Sequence, residues 1–474
     1  MILVALILVP LVFGLLSFFI KGSDGSKTAS LISSIVTLAL AAYAVSLPSS
    51  QLTYNHTWLG TLNSNFSLGV DGMAKVLVLL TAVSYPIVFI ATYKNSYNNV
   101  GRFYGLMLLL QAGLMGVFLS TDCLLFYFFW ELALIPAYFL CSIWGGDKRI
   151  QVAFKFFIYT FVGSLIMLIG IIYLYSKTPD HSFAWSSFTK VILTPQEQQY
   201  FFWFFFIAFA IKMPIFPFHT WQPDTYDQAP TATTMILSGV MVKMGLFAVA
   251  RWLIPIFPEM AVKMADVIMI LSIIGMIYAS LIAIKQDSIK KMIAYSSIAH
   301  IGLMCAALFA NNAEATQGVY IQLFNHGINV IGLWIVGNAI EQQTGTTKMS
   351  ELGGLAQKAP VLTILLVIMA LANIALPLTN AFVGEFLMFN GLFAYKPVFA
   401  AVAGISIILA AVYTLNMIQK VFLGEASSFL KVTEIPKNTA IALSVIVVMI
   451  FLMGVYPKPM FHLGEQVIGW IAKK

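Results

Sequence analysis

A lysine stands where hydrocarbon would exclude one. Phe201-Phe202-Trp203-Phe204-Phe205-Phe206 runs into Ile207-Ala208-Phe209-Ala210-Ile211, apolar enough throughout to lie in a bilayer, and the next residue is Lys212. A lysine at that depth costs roughly 2.5–3.5 kcal/mol on insertion scales. Pro214 and Pro217 follow closely. Each removes a backbone donor and opens the helix beside the charge. A polar turn then runs from His219 to Pro230, and a second apolar segment carries its own lysine, Lys243. A helix broken beside a buried charge is a feature of transport proteins, not of lipid anchors.

The same apolar pattern recurs along the whole chain. A spanning helix needs about 20 apolar residues. Fourteen segments qualify: 2–20, 29–47, 72–93, 103–119, 121–142, 152–175, 200–220, 231–253, 264–284, 288–310, 316–338, 359–394, 398–420 and 438–456. The twelfth is too long for one straight span, and Pro377 in its middle predicts a second break. Only 9% of the 474 residues are charged, against about 25% in soluble domains. The fold expected is an all-α polytopic membrane protein, one integral domain over 1–474 with polar connections at 48–71, 176–199 and 421–437. The first segment, which begins at Ile2 without a basic leader, reads as a spanning helix. Segments seven and twelve are both broken at prolines and stand five apart. That predicts two inverted five-helix repeats. Residues 1–100 then hold three N-terminal helices, 101–253 the first repeat (helices 4–8), 264–420 the second (helices 9–13), and 438–456 helix 14.

The net charge of +7 forms no basic run or face, so it points to membrane topology and not to nucleic acid. Fifteen of the 26 Lys and Arg fall on the side of the loop after the first segment, and nine on the other. The richer side, with residues 143–150 and 285–291, is expected in the cytoplasm, and both termini outside. Lys75 and Arg251 count there as outer residues, and Asp122, Asp147, Lys148 and Arg149 as solvated loop-end charges. Cys123, Cys141 and Cys305 lie in apolar segments without metal-ligand spacing and read as small core residues. No phosphate loop or dinucleotide motif is present. No metal or cofactor site is expected in this chain.

Six ionisable residues remain: Glu131, Lys212, Lys243, His300, His326 and Glu385. Each lies nine to twelve residues from its segment boundary, or roughly 14–18 Å at 1.5 Å per residue, close to the ~15 Å half-thickness of the hydrocarbon core. They therefore share one level, the midplane. A single His there is often only a structural hydrogen bonder, and a Glu–Lys pair can be static packing. Six groups at one depth point instead to lateral proton conduction, because lysine changes charge readily when buried. His219, Asp224 and Asp227, in the turn after segment seven, either cap helix ends or lead protons inward.

At these residues the chain resembles a known family. Leu125-Phe126-Tyr127-Phe128-Phe129-Trp130-Glu131-Leu132-Ala133-Leu134-Ile135-Pro136 is similar to its fifth-helix signature. Lys212-Met213-Pro214, His219-Thr220-Trp221 and Ala229-Pro230-Thr231 are similar to that of its seventh helix. The family is the antiporter-like subunits of respiratory complex I, with related Mrp-type cation/proton antiporters and membrane hydrogenases. The resemblance implies fourteen helices with two inverted repeats, and a proton path in which Glu131 pairs with Lys212, Lys243 continues, His300 and His326 bridge, and Glu385 ends. It also implies lysine on the twelfth helix in the L-like and N-like members and glutamate in a third kind, and here Glu385 supplies glutamate. The chain ends soon after segment fourteen, without the long lateral helix of the L-like member. The implied partners are the bilayer and the L-like and N-like subunits of a bacterial cell-membrane complex. NADH, FMN, iron–sulfur clusters and quinone would belong to other subunits. The alternatives are an Mrp-type Na⁺/H⁺ antiporter subunit, a membrane-hydrogenase subunit, or a structural subunit with a silent charge row. Two departures stand out: Gln222 where the family usually has leucine in Trp-Leu-Pro-Asp, and Leu376-Pro377-Leu378-Thr379-Asn380 where it usually has Leu-Pro-Gly-Thr.

Overall fold

The computed structural model describes residues 1–20, 22–425 and 432–463. Lys21, Lys431, Lys473 and Lys474, counted in the charge asymmetry, and the C-terminus lie outside the described residues. Eleven described helices are long and apolar enough to cross a membrane. Two of them, Thr231–Ile256 and Ala313–Thr344, are wholly buried across their apolar windows, so the others surround them. Two shorter apolar helices, Ile2–Ser17 and Pro360–Asn373, lie at the first and twelfth expected segments.

Helix ends follow their capping residues. The seventh expected segment begins earlier than its apolar run, as Pro195–Lys212, because Thr194 and Glu197 form a capping box with Pro195 in the first turn. Ala313–Thr344 is longer than its apolar core for the same kind of reason. Asn312 accepts from Ala315 N at 2.9 Å, and Gly345 closes the far end at φ +73°.

The outer connection 48–71 is not a plain loop. Thr53–Leu59 and Ser64–Gly69 pair as an antiparallel hairpin, the one sheet among the described residues of an otherwise helical fold. Asp122 is not solvated: it is 1% exposed. Its carboxylate accepts from Leu124 N and Leu125 N at the start of Cys123–Trp144, and from Ser64 Oγ and Asn65 N of the hairpin. An N-cap that also ties down a hairpin has its lone pairs filled by protein. Lys75 and Arg251 are likewise no free topology signals. Both are buried, Lys75 donating to Leu47 O at 2.6 Å and Arg251 pairing with Asp71. Asp147, Lys148 and Arg149 remain at the surface as expected. All three cysteines are buried and unbridged.

Candidate functional site

The first break occupies residues 213–220, between Pro195–Lys212 and a short helix, Trp221–Gln228, that replaces most of the expected polar turn. Its backbone is largely satisfied: Met213 N donates to Phe209 O at 2.8 Å, Ile215 N to Ala210 O at 3.2 Å, and Trp221 Nε1 to Ile211 O at 2.9 Å. Lys212, the last helical residue, is 2% exposed and its Nζ has no hydrogen-bond partner. It lies 5.4 Å from the centre of the Trp130 ring. Glu131, next along that helix, is near enough for its charge to act on Lys212. It is no direct ion pair, however, since Glu131 Oε1 is also unpartnered. The expected pairing is thus corrected to a charge interaction across a gap, with the ammonium over the indole face. Ser164 lies within hydrogen-bonding reach of Glu131. Thr231–Ile256 approaches the break at Gly245, where a Cβ would stand 2.7 Å from Met213 Cβ and from Phe209 O.

Lys243 lies on that same helix, directly after a π-helical segment, Leu237–Met241. The widened turn explains its contact. Val242 N donates to Leu237 O at 3.2 Å in place of Ser238 O, its ordinary α-helical acceptor. Ser238 O is then available to Lys243 Nζ, which donates to it at 2.7 Å. Ser238 Oγ accepts from Trp334 Nε1 at 2.9 Å. Lys243 is fully buried and near enough to His326 for their charges to interact.

From His326 the row runs on by direct contacts. The His326 and His300 rings are 5.3 Å apart, and His326 Nε2 is 3.4 Å from Ser297 Oγ. His300 Nδ1 meets Glu385 Oε1 at 3.1 Å, and Gln322 Nε2 donates to the same oxygen at 3.3 Å. All are buried. Gly384 lets Gln322 lie flat against the Glu385 helix, since a Cβ there would be 2.6 Å from the amide oxygen.

The second break, residues 374–379, separates Pro360–Asn373 from Asn380–Tyr395. Lacking the glycine, it places Ala375 at φ +55° and Leu378 at φ +75°. Asparagines hold its open ends. Asn329 and Asn380 exchange reciprocal amide bonds at 3.0 Å, and Asn325 Nδ2 donates to Asn380 O at 2.7 Å. Asn373 Nδ2 donates to Ser296 Oγ at 3.2 Å, and Tyr413 OH bonds to the same hydroxyl at 2.9 Å.

The structure therefore brings Lys243, His326, His300 and Glu385 into one row and sets Glu131 and Lys212 together beside the first break. Gln322, Asn325, Asn329 and Ser238 were missed in the sequence. The signal for the first three was present: polar residues at 322, 325, 326 and 329 inside an apolar segment repeat at helical spacing and share a face. The signal for Ser238 was not, because nothing in the sequence marks a π turn. Of the turn residues, Asp224 pairs with Lys155 at 2.9 Å, His219 is buried, and Asp227 Oδ1 is 3.4 Å from Ser288 Oγ. Among the described residues no group of three or more His, Cys, Asp or Glu could hold a metal ion.

The sequence model of a family described as NADH:quinone oxidoreductase/Mrp antiporter, transmembrane, matches residues 120–410. NADH-quinone oxidoreductase subunit M of Rickettsia prowazekii is 36% identical over 471 residues, covering 95% of each chain. F(420)H(2) dehydrogenase subunit M of Methanosarcina mazei is 34% identical over 474 residues, covering 97% of this chain and 95% of that one. A chain in the structure of respiratory complex I from Thermus thermophilus with bound NADH superposes with a TM-score of 0.92 at 28% identity, covering 99% of this chain and all of that one.

Proposed function

The chain belongs to the NADH:quinone oxidoreductase/Mrp antiporter transmembrane family, and from that premise we propose that it is a proton-translocating membrane-arm subunit of a complex I type NADH–quinone oxidoreductase. The observation that carries this reading is the buried contact of His300 Nδ1 with Glu385 Oε1, aligned through His326 with Lys243. Protons move along this row, and quinone reduction in other subunits drives them. The chain itself does no redox chemistry. NADH, FMN, iron–sulfur clusters and quinone belong to partner subunits, and L-like and N-like antiporter-like subunits flank it in a bacterial cell membrane. The two halves, 101–253 and 264–420, are inverted repeats, each with one break. The face with residues 143–150 and 285–291 is cytoplasmic, and labelling of a cysteine placed at 148 from outside intact cells would reverse that.

The residues divide the work by their chemistry. Lys212 is buried with no hydrogen bond to hold its Nζ, and the Glu131 side chain is the charged group that acts on it. A change of charge or position at Glu131 is therefore felt at the lysine. Lys243 holds the middle of the row, the two histidines pass protons through either ring nitrogen, and Glu385 takes them at the far end.

A second reading, an Mrp-type Na⁺/H⁺ antiporter subunit, is favoured by the family description, which spans both kinds of protein. The deciding experiment is purification of the native complex with identification of its subunits. Nucleotide-binding and iron–sulfur partners are expected. Robust Na⁺/H⁺ exchange by the isolated chain in proteoliposomes would move the assignment to the antiporter.

A further inference from the structure

A vestibule of about 1450 Å³ opens on the face that carries residues 143–149 and 290–291, and Asp224, Asp227 and Gln228 of the short Trp221–Gln228 helix line it. Gln222 and Tyr226, one helical turn apart on that helix, are not part of the lining and are both fully buried. Gln222 Nε2, Gln222 Oε1 and Tyr226 OH have no hydrogen-bond partner in the protein. The two side chains are close enough to interact, yet they make no direct bond. Three buried polar atoms without partners at one place are rare in native proteins. Together they offer the donors and acceptors that one internal water requires. Gln222 has no capping duty to explain its presence, since it is its backbone N that donates to His219 O, at 3.1 Å.

The neighbours lead inward. The Tyr226 ring lies 6.0 Å from that of Trp334. Trp334 donates to Ser238 Oγ, and Ser238 O holds Lys243. Gln222 and Tyr226 thus join the helix that lines the vestibule, where acidic and basic side chains are mixed, to the residues that hold the central lysine. We propose that Gln222 and Tyr226 hold an internal water through which a proton passes from the vestibule to Lys243. The proton moves through water, one O–H bond breaking as another forms at each transfer, while the Trp334 indole and the Ser238 carbonyl only fix the route and carry no proton. The last step breaks an O–H bond of the protonated water and forms an N–H bond on a neutral Lys243 amine. One positive charge moves inward, Tyr226 and Gln222 end unchanged, and the vestibule water recovers its proton from bulk solvent. Gln222 is a positioning residue here, and it stands at a position where the sequence departs from its motif.

The inference rests on the proton-translocation reading, and the test separates the two. Hydroxyl-radical labelling of the intact native complex should modify Tyr226, although it is 0% exposed, and spare the equally buried Phe118. Tyr226 left unlabelled alongside Phe118 would overturn the proposal. In the assembled complex, Gln222→Leu should slow proton pumping about tenfold, the rate equivalent of one hydrogen bond lost from the barrier. It should also enlarge the solvent deuterium isotope effect on turnover, and Gln222→Asn should recover part of the rate. If Gln222→Leu raises the melting temperature and pumps normally with an unchanged isotope effect, the amide is a mere orphan and the proposal is wrong. Lys243→Ala in the same assay must abolish pumping. If that variant pumps normally, the translocation reading falls, and the uptake route with it. A null effect of Gln222→Leu beside an inactive Lys243→Ala removes the uptake route alone.

Discussion

At the first break the carbonyls of Phe209, Ala210 and Ile211 are taken up by two backbone N–H groups and one indole, and the adjoining Lys212 keeps an unpartnered Nζ. At the second, Asn325, Asn329 and Asn380 knit the open ends together, and Glu385 is held directly by His300 and Gln322. Both breaks interrupt a helix in the membrane, yet they fix their charges differently. Lys212 is positioned by burial, by the Trp130 ring and by the field of Glu131, all of which tolerate a change of charge or a small movement. Glu385 sits in a preformed hydrogen-bonded seat. In the proposed proton path the first break would then supply a carrier that loads and unloads, and the second an acceptor fixed in place.

The sharpest way to break that contrast is Lys212→Arg. Arginine keeps the charge but stays protonated in proteins. Pumping by the assembled complex should fall by at least about tenfold, a barrier change near 1.4 kcal/mol. Normal pumping would mean that Lys212 is a static charge after all. Assembly should survive Lys212→Met, because Nζ gives up no hydrogen bond, and native gels should show a complete but inactive complex.

Next in size is the amide clamp. Asn380→Ala removes both amide bonds to Asn329 while leaving Asn325 on the Asn380 backbone O, and should lower the stability of the subunit by about 1–3 kcal/mol. In a double-mutant cycle with Asn329→Ala, thermal melting should reveal a coupling of ~0.5–3 kcal/mol. Additive effects would show that the second break is not clamped in the way the contacts suggest.

Leu378 gives a smaller effect of opposite sign. No residue of the first break has positive φ, whereas Leu378 sits at φ +75°. A side chain in that region costs roughly 1–2 kcal/mol, so Leu378→Gly should raise the melting temperature slightly. A lowered melting temperature would mean that the exposed leucine is held there by packing worth more than the strain.

The smallest effect concerns the rim beside the second half. Ser350 donates to Asp287 through both its hydroxyl and its backbone N–H, and the hydroxyl chiefly holds the Asp287 carboxyl below its ordinary value of 3.8. Glu351 is held low chiefly by the Thr346 hydroxyl and then by Lys348. A depressed carboxylate stabilises the fold above its ordinary pKa and loses that contribution as pH falls through the folded value. Protection against hydrogen exchange in residues 345–352, taken relative to the intrinsic rate at each pH, should thus be steady from pH 7 to about 5 and fall below roughly pH 4. Asp287→Asn should flatten that response. An unchanged pH profile in the variant would show that this tie contributes nothing to the second half.

What the sequence made legible, and what it did not, follows from range. The apolar segments were readable because hydrocarbon imposes one requirement on every residue of a span. The breaks were readable because Pro214, Pro217 and Pro377 act on their own backbone. The buried ionisable residues were readable from their positions deep inside apolar segments. The Asp122 knot was not, since its partners Ser64 and Asn65 are more than fifty residues distant. Nor was the gap between Glu131 and Lys212, which depends on where the Trp130 ring lies. The asparagine clamp fell between these cases: its spacing was visible, but its partner across the second break was not.

The π-helical segment ahead of Lys243 has a consequence best put as rotation. Each residue of an α-helix advances the side chains by about 100°, and a widened turn holds one residue more than the regular helix would. Removing a single residue within Leu237–Met241 would restore the regular turn and leave the two ends of the Thr231–Ile256 helix nearly in phase, because the widened turn absorbs the added residue without passing its rotation on. Gly245 would stay against Met213, but the carbonyl that now accepts from Lys243 would return to a backbone donor. The extra residue thus supplies a spare acceptor for the lysine at no cost to the alignment of the helix.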